Sequence, residues 1–207
     1  MRRACPITEN SIHHVYSKSI YKFVIFTCDE EYKRFLTLIS YYQFDGLPRC
    51  SDFLKRNNVL SQGFEKIFTE ESQNHPRLVH VFAYCLMPTH VHLICREVRP
   101  NGITTYLRRM FNAYTRYFNL RHNRRGPLWE CRFGNTCIQD DKHFETALAY
   151  VHNNPVEAEL VKTPDQWPYS AVLNRTPGVG EVVGEVTCVH SMIPKSTFTK
   201  KKFDFWA

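Results

Sequence analysis

Apolar positions alternate near the start of the chain, then recur at helical spacing, and the two periods replace one another several times. Residues 11 to 27 carry β-branched and aromatic residues at loosely alternating positions (Ile12, Val15, Tyr16, then Phe23, Val24, Ile25 and Phe26). This pattern predicts one strand and a second extended piece. His13 and His14 are adjacent, so in a strand they point to opposite faces, and neither is given a role. From Asp29, a candidate N-cap, Tyr32, Phe35, Leu36 and Ile39 fall at helical spacing with Lys33 and Arg34 outside the stripe. Residues 29 to 43 are expected to form an amphipathic helix that covers a sheet. Between Gly46 and Pro76 the chain turns polar, with Pro48, Gly63 and Asn57-Asn58 as punctuation and a short helical pattern around Phe64, Ile67 and Phe68. That stretch reads as an insertion.

Residues 77 to 97 give two β-rich runs about Met87-Pro88, which fits a hairpin or two adjacent strands. The proline interrupts a ladder, so the chain is expected to turn or bulge just before His90. Along the second run His90, His92 and Ile94 face one way, and Val91, Leu93 and Cys95 face the other. Two imidazoles on one face, anchored by an apolar opposite face, are suited to gripping a divalent metal. Chance recurrence of His-X-His in strands is the plain alternative.

After Pro100-Asn101-Gly102, the segment from Ile103 to about Arg121 places Leu107, Met110, Phe111, Tyr114 and Phe118 at helical spacing. It is also basic: Arg108, Arg109, Arg116, Arg121, Arg124 and Arg125 cluster with Tyr114, Tyr117 and His122. Such a mixture can hold phosphates by charge and stack unpaired bases, although an ordinary solvated helix face has the same look. Gly126-Pro127-Leu128-Trp129 ends this helix, and Cys131 to Ile138 is expected to form a strand carrying Arg132. Asp140 or Asp141 then caps a helix with Phe144, Leu148 and Val151 as its stripe, ended by the restriction Pro155 places on Asn154. Tyr150 lies about 120° from that stripe, with Asn154 one turn further on. A tyrosine and an amide so placed could face the strand that carries the histidines. Beyond Val161 the chain is irregular, with a packed corner at Trp167-Pro168-Tyr169-Ser170 and two strand-like pieces between 174 and 207.

Composition adds three constraints. A length of 207 residues with 43% hydrophobic and 14% aromatic content supports a packed core. A formal charge of +7 favours a polyanionic partner such as nucleic acid, although Lys55, Arg56 and Lys66 do not decide whether the 46–76 insertion is a DNA-contacting lobe or a decorated loop. Eight cysteines without a Cys-X-X-Cys pair read as free thiols in a reducing compartment. Neither a signal peptide nor a membrane span is supported, so the expected location is cytoplasmic, with no membrane partner.

Ala83 to Ile94, Tyr-Phe-Asn at 117 to 119, Gly126-Pro127-Leu128-Trp129, and the run from Tyr150 to Ala158 together resemble the single-tyrosine HUH transposases, especially the REP-associated tyrosine transposases of bacteria. The resemblance covers about residues 11 to 172. It implies an α+β fold, an antiparallel sheet of four or five strands with helices packed on it, in a domain over residues 1–173 with an extension over 174–207. It further implies a nuclease and strand transferase acting on single-stranded or hairpin DNA as monomer or homodimer. By position, His90, His92 and Asn154 would hold Mg²⁺ or Mn²⁺, and Tyr150 would be the nucleophile forming a 5′-phosphotyrosine link. Arg108, Arg109, Tyr114, Arg116, Tyr117, Arg121, Arg124, Arg125 and Arg132 are the expected DNA contacts.

Two departures stand out: Thr89 occupies a position where these proteins commonly carry Asn, and residues 46 to 76 are longer than in compact members. Tyr114 and Tyr117 are rival nucleophiles. Two alternatives remain at this point: a catalytically inactive DNA-binding protein of transposase descent, and a zinc-dependent hydrolase using His90, His92 and a cysteine.

Overall fold

A computed structural model describes residues 5–130 and 132–172; the strand-like pieces expected within 174–207 lie outside the described residues. In chain order the elements are β1 (Ile12–Lys18), α1 (Asp29–Tyr41), α2 (Cys50–Phe53), α3 (Asn57–Gln62), α4 (Phe64–Ser72), β2 (Val79–Met87), β3 (His90–Glu97), α5 (Gly102–Arg121), β4 (Gly134–Ile138), α6 (Asp141–Glu157) and β5 (Ser170–Val172). All strand pairs are antiparallel and the order is β4-β1-β3-β2-β5. The expected α+β class holds, and the histidine strand β3 is the central one.

Helices cover both faces. On one face α1 and α5 pack together, with the Tyr106 hydroxyl donating to the Ile39 carbonyl at 3.1 Å and the Tyr114 hydroxyl donating to the Ile25 carbonyl. On the other face lies α6, where Phe144 meets Phe82 of β2 edge-on at 5.4 Å between ring centroids. Strand alternation therefore gives Val91, Leu93 and Cys95 to the α1/α5 core, and His90 and His92 to the α6 side.

Several elements differ from the sequence reading. Phe23 to Thr27 is extended but joins no strand: Tyr21 and Lys22 take positive φ (49° and 55°), turning the chain off the sheet. The Ile25 and Phe26 amides then donate to the Pro88 carbonyl at the β2–β3 turn. Cys28, not Asp29, is the N-cap of α1, and Asp29 begins the helix, where its carboxylate suits the positive helix end. Between 46 and 76 three short helices form around Phe53, Phe64 and Phe68, packed on Tyr41 of α1. The strand expected from Cys131 begins at Gly134, so Arg132 precedes β4. Pro155 does not end α6. It removes one amide donor, but the Ala158 amide still donates to the Asn154 carbonyl at 3.0 Å and Leu160 to Pro155 at 2.9 Å, so the last turn closes. β5 was not expected; it pairs with β2 beyond the corner where the Trp167 indole donates to the Leu86 carbonyl.

The β3–α5 junction fixes the end of the histidine strand. No side chain caps α5 locally, and Asn101 takes a left-handed φ of 63°. Buried Glu97 at the end of β3 instead accepts from the first helical amides, Gly102 at 3.1 Å and Ile103 at 2.7 Å. A carboxylate there satisfies two orphan donors and complements the helix dipole. Glu97→Gln removes the charge and one acceptor, so unfolding free energy is expected to fall by about 1–2 kcal/mol, read as a lowered midpoint in urea with unchanged slope.

Candidate active site

His92 sits mid-strand, 5% exposed, directly between Tyr16 of β1 and Cys85 of β2. His90 opens the strand, opposite Met87 and Lys18, with its ring centroid 5.0 Å from that of His92. Thr89 lies within hydrogen-bond distance of His90: its Oγ1 is 3.1 Å from Nδ1. His14 on β1 completes the row. Its Nε2 is 2.9 Å from His92 Nδ1, and the two rings stack at 5.1 Å. A proton shared along that bond fixes His92 with Nε2 as its lone-pair nitrogen when His92 is the donor.

α6 brings the tyrosine and the amide to this row. The Asp140 carboxylate accepts the His143 amide at 2.7 Å, so Asp140 is the cap; Phe144, Leu148 and Val151 are buried. This phase leaves Tyr150 45% exposed, with its ring edge-on to His92 at 5.7 Å and to His14 at 5.6 Å. One turn on, buried Asn154 donates through Nδ2 to the Tyr150 carbonyl at 2.8 Å. That bond uses the amide nitrogen and leaves Oδ1 on the side of the His90 ring, whose protonated form it favours. Five side chains from three elements, His14 of β1, His90 and His92 of β3, and Tyr150 and Asn154 of α6, thus share one small region.

Burial sets the charge state. It lowers His92 to about 3, helped by the nearby charges of His14, His90 and Lys18, and lowers His14 to about 4, helped by His143. His90 is lowered too, chiefly by burial and then by Lys18, against a smaller opposing pull from Asn154. All three rings are neutral near pH 7 and carry unshared electron pairs.

The expected DNA-contact residues divide. Tyr114 is fully buried with its hydroxyl bonded to Ile25, which corrects its assignment to base stacking: its face is covered by Phe26, Phe35 and Trp129. Tyr117 is half-buried beneath the Arg34 guanidinium. Arg121 and His122 reach back to buried Glu31, and Arg109 pairs with Asp45 at 2.8 Å. Arg108, Arg116 and Arg125 are exposed, as is Arg132, while Arg124 donates to the Pro127 carbonyl. Arg116, Asn119, Leu120, Asn123, Arg124 and Arg125 line an open concavity at the end of α5. The loop after α5 is tied to the Lys18 end of β1, next to His90, since Ile20 donates to Leu128 and Glu130 to Lys18. Arg108 and Arg109 lie roughly 18 Å back along the helix.

Sequence reading assigned nothing to His14 and Tyr16. Their alternation places them on one face, but only the β1–β3 register sets them against His92.

Residues 53–154 match the family described as "Transposase IS200 like". Over 118 residues the chain is 27% identical to a curated REP-associated tyrosine transposase of Haemophilus influenzae, covering 52% of this chain and 66% of that one. The chain therefore spans just under two thirds of that relative. A solved structure of a REP-associated tyrosine transposase bound to a REP hairpin superposes with a TM-score of 0.56 at 15% identity, over 82% of this chain and 81% of that one, a likeness of fold. Over residues 53–154 the chain is thus similar in sequence to the IS200-like transposases. Both the curated relative and the solved structure it resembles are REP-associated tyrosine transposases. No described helix is long and apolar enough to cross a membrane.

Proposed function

We infer that this chain is a metal-dependent DNA strand transferase, cleaving and rejoining single-stranded or hairpin DNA through Tyr150. The observation that carries the reading is the approach of the exposed Tyr150 ring to His92 while Asn154, one turn away, reaches His90. The donor set fits a divalent cation, because two neutral imidazoles and an amide oxygen converge without a competing positive charge among themselves. His90, His92 and Asn154 would hold Mg²⁺ or Mn²⁺, which when bound would polarise a phosphate oxygen and offset charge at the phosphorus.

The residues of the chain do the rest. Asn154 orients α6 against β3, His14 holds the His92 ring, and Tyr150 presents its oxygen from the helix edge. The tyrosine oxygen attacks the scissile phosphorus and loses its proton to water. The bond from phosphorus to the 3′-oxygen breaks, and that oxygen takes a proton to become a free 3′-hydroxyl. The 5′-phosphate is left esterified to Tyr150, so the hydroxyl can attack in reverse and rejoin a strand without an external energy source.

A DNA substrate would run from the exposed Tyr150 ring past Lys18 to the concavity bearing Arg116, Arg124 and Arg125. Arg125→Ala is expected to weaken binding of all hairpin sequences alike and to reduce the slope of log K against log salt by about 0.7, measured by fluorescence anisotropy at several salt concentrations. We further propose that residues 1–173 form the catalytic domain, with 46–76 as an insertion and 174–207 as an extension, acting in the cytoplasm.

The test incubates the chain with a panel of labelled hairpin DNAs and Mn²⁺, with and without chelator, followed by a denaturing gel and peptide mapping. A chelator-sensitive protein–DNA adduct on the Tyr150 peptide supports the reading. Hairpin binding with no adduct across the panel overturns it in favour of a binding protein.

A further inference from the structure

The geometry points to a second metal centre, for a thiophilic cation of the zinc class, formed by Cys5, His13 and Cys137 on the sheet face opposite His90 and His92. Among the described residues these three bring their ligand atoms within 4.8 Å of one another. His13 and Cys137 are direct cross-strand partners in the β1–β4 pair, so their side chains share a face by register. Cys5, in the segment leading into β1, closes the group.

The surroundings favour a ligand. Asn135 donates through one amide group both to the Cys5 carbonyl at 3.0 Å and toward His13 Nδ1 at 3.2 Å. An amide nitrogen can only donate, so His13 Nδ1 accepts, and a bound cation would take over the lone pair that the Asn135 amide now meets. The proton then sits on Nε2, 2.8 Å from Ser11 Oγ. Ser11 is itself fixed: its hydroxyl donates to the Thr8 carbonyl and accepts the Thr8 amide, leaving one lone pair for the His13 proton. A buried imidazole with Nε2 anchored by an outer hydrogen bond and Nδ1 unprotonated has the tautomer of a zinc-binding histidine, and Asn135 keeps the Cys5 carbonyl as partner when a cation takes its place at Nδ1.

Size and donor type agree. Tetrahedral zinc with sulfur ligands at about 2.3 Å sets neighbouring ligand atoms about 3.8 Å apart, so side-chain rotation of under ~1 Å closes the group. Two thiolates and an imidazole select zinc-like ions over Mg²⁺ or Mn²⁺, leaving the fourth position to water. Bound metal would fasten the segment from Cys5 onto β4, an edge strand, without touching the α6 face.

Titration with Co²⁺ tests this on the whole 207-residue chain, reduced and stripped of metal. One equivalent giving cobalt–thiolate absorption, displaced by Zn²⁺, is expected. Affinity should fall by at least about ten-fold in Cys5→Ser and in Cys137→Ser and stay unchanged in His90→Ala/His92→Ala. Cys5 belongs to no strand or helix, so its variant keeps the test valid if His13 or Cys137 substitutions unfold the chain; circular dichroism checks this. Absence of thiolate absorption, its persistence at undiminished affinity in a folded Cys5→Ser chain, or its loss in the His90/His92 variant overturns the site. The last two outcomes are independent of whether Tyr150 forms an adduct.

Discussion

Tyr150→Phe is expected to abolish the covalent DNA adduct and to lower strand cleavage by at least ~10³-fold, the scale seen when a nucleophile is removed from a working catalytic unit. The substitution deletes one oxygen and keeps the ring, so the edge-on contacts to His14 and His92 survive. At a position 45% exposed, stability and hairpin affinity should each change by no more than about 0.5 kcal/mol, close to two-fold in binding. Single-turnover cleavage of labelled hairpin, read beside anisotropy on the same DNA, separates the two effects. Equal loss of binding and cleavage would mean that Tyr150 serves the surface and not the reaction. An adduct that survives the substitution would move the nucleophile elsewhere.

The rival tyrosines make that outcome informative. Tyr114 is sealed in the α1/α5 core, where burial raises its hydroxyl far above the ordinary phenol range, so it cannot supply a phenolate. Tyr117 lies on α5, on the opposite face of the sheet from His90 and His92, beneath Arg34. Tyr16 is the near neighbour: it lies opposite His92 and 6.2 Å from it between ring centroids, and it is 37% exposed. If an adduct persists in Tyr150→Phe, Tyr16→Phe is the next variant to measure.

How much of this was legible in the sequence depends on the range of each contact. Period-two alternation was enough to place His90 and His92 on one face, and helical phase was enough to lift Tyr150 and Asn154 off the stripe of α6. Both are local properties of a single element. The pairing of His14 with His92 spans 78 residues and needs the β1–β3 register, which no local pattern contains. Tyr114 was misread for the same reason. Its helical position marked it as apolar-facing, yet the basic residues around it drew it toward DNA, and only the docking of α5 on α1 shows its hydroxyl ending on Ile25. Pro155 misled in the other direction: its local restriction on Asn154 is real as a tendency, but the bonds that follow it close one more turn.

The junction that holds β3 in place carries the largest expected effect on folding. Gly102→Ala should destabilise the chain by about 3 kcal/mol, lowering the melting temperature by roughly 6–12 °C for a chain of this size. The added methyl would stand 2.1 Å from the Leu78 carbonyl oxygen, far inside contact distance, and its neighbour is backbone that cannot rotate away. That carbonyl is already held, since it accepts the Val98 amide at 3.0 Å. Relief therefore requires α5 to shift from the sheet, which would draw the Gly102 and Ile103 amides off Glu97. The two effects share one mechanism, so the double variant with Glu97→Gln should cost less than the sum of the singles. A melting temperature within 2 °C of wild type, about the shift of 0.5–1 kcal/mol, would show that α5 can seat itself differently from the arrangement described. Because β3 runs directly into this junction, a shifted α5 should also reduce adduct formation by the His90/His92 face, while Tyr150→Phe should leave the melting temperature nearly unchanged.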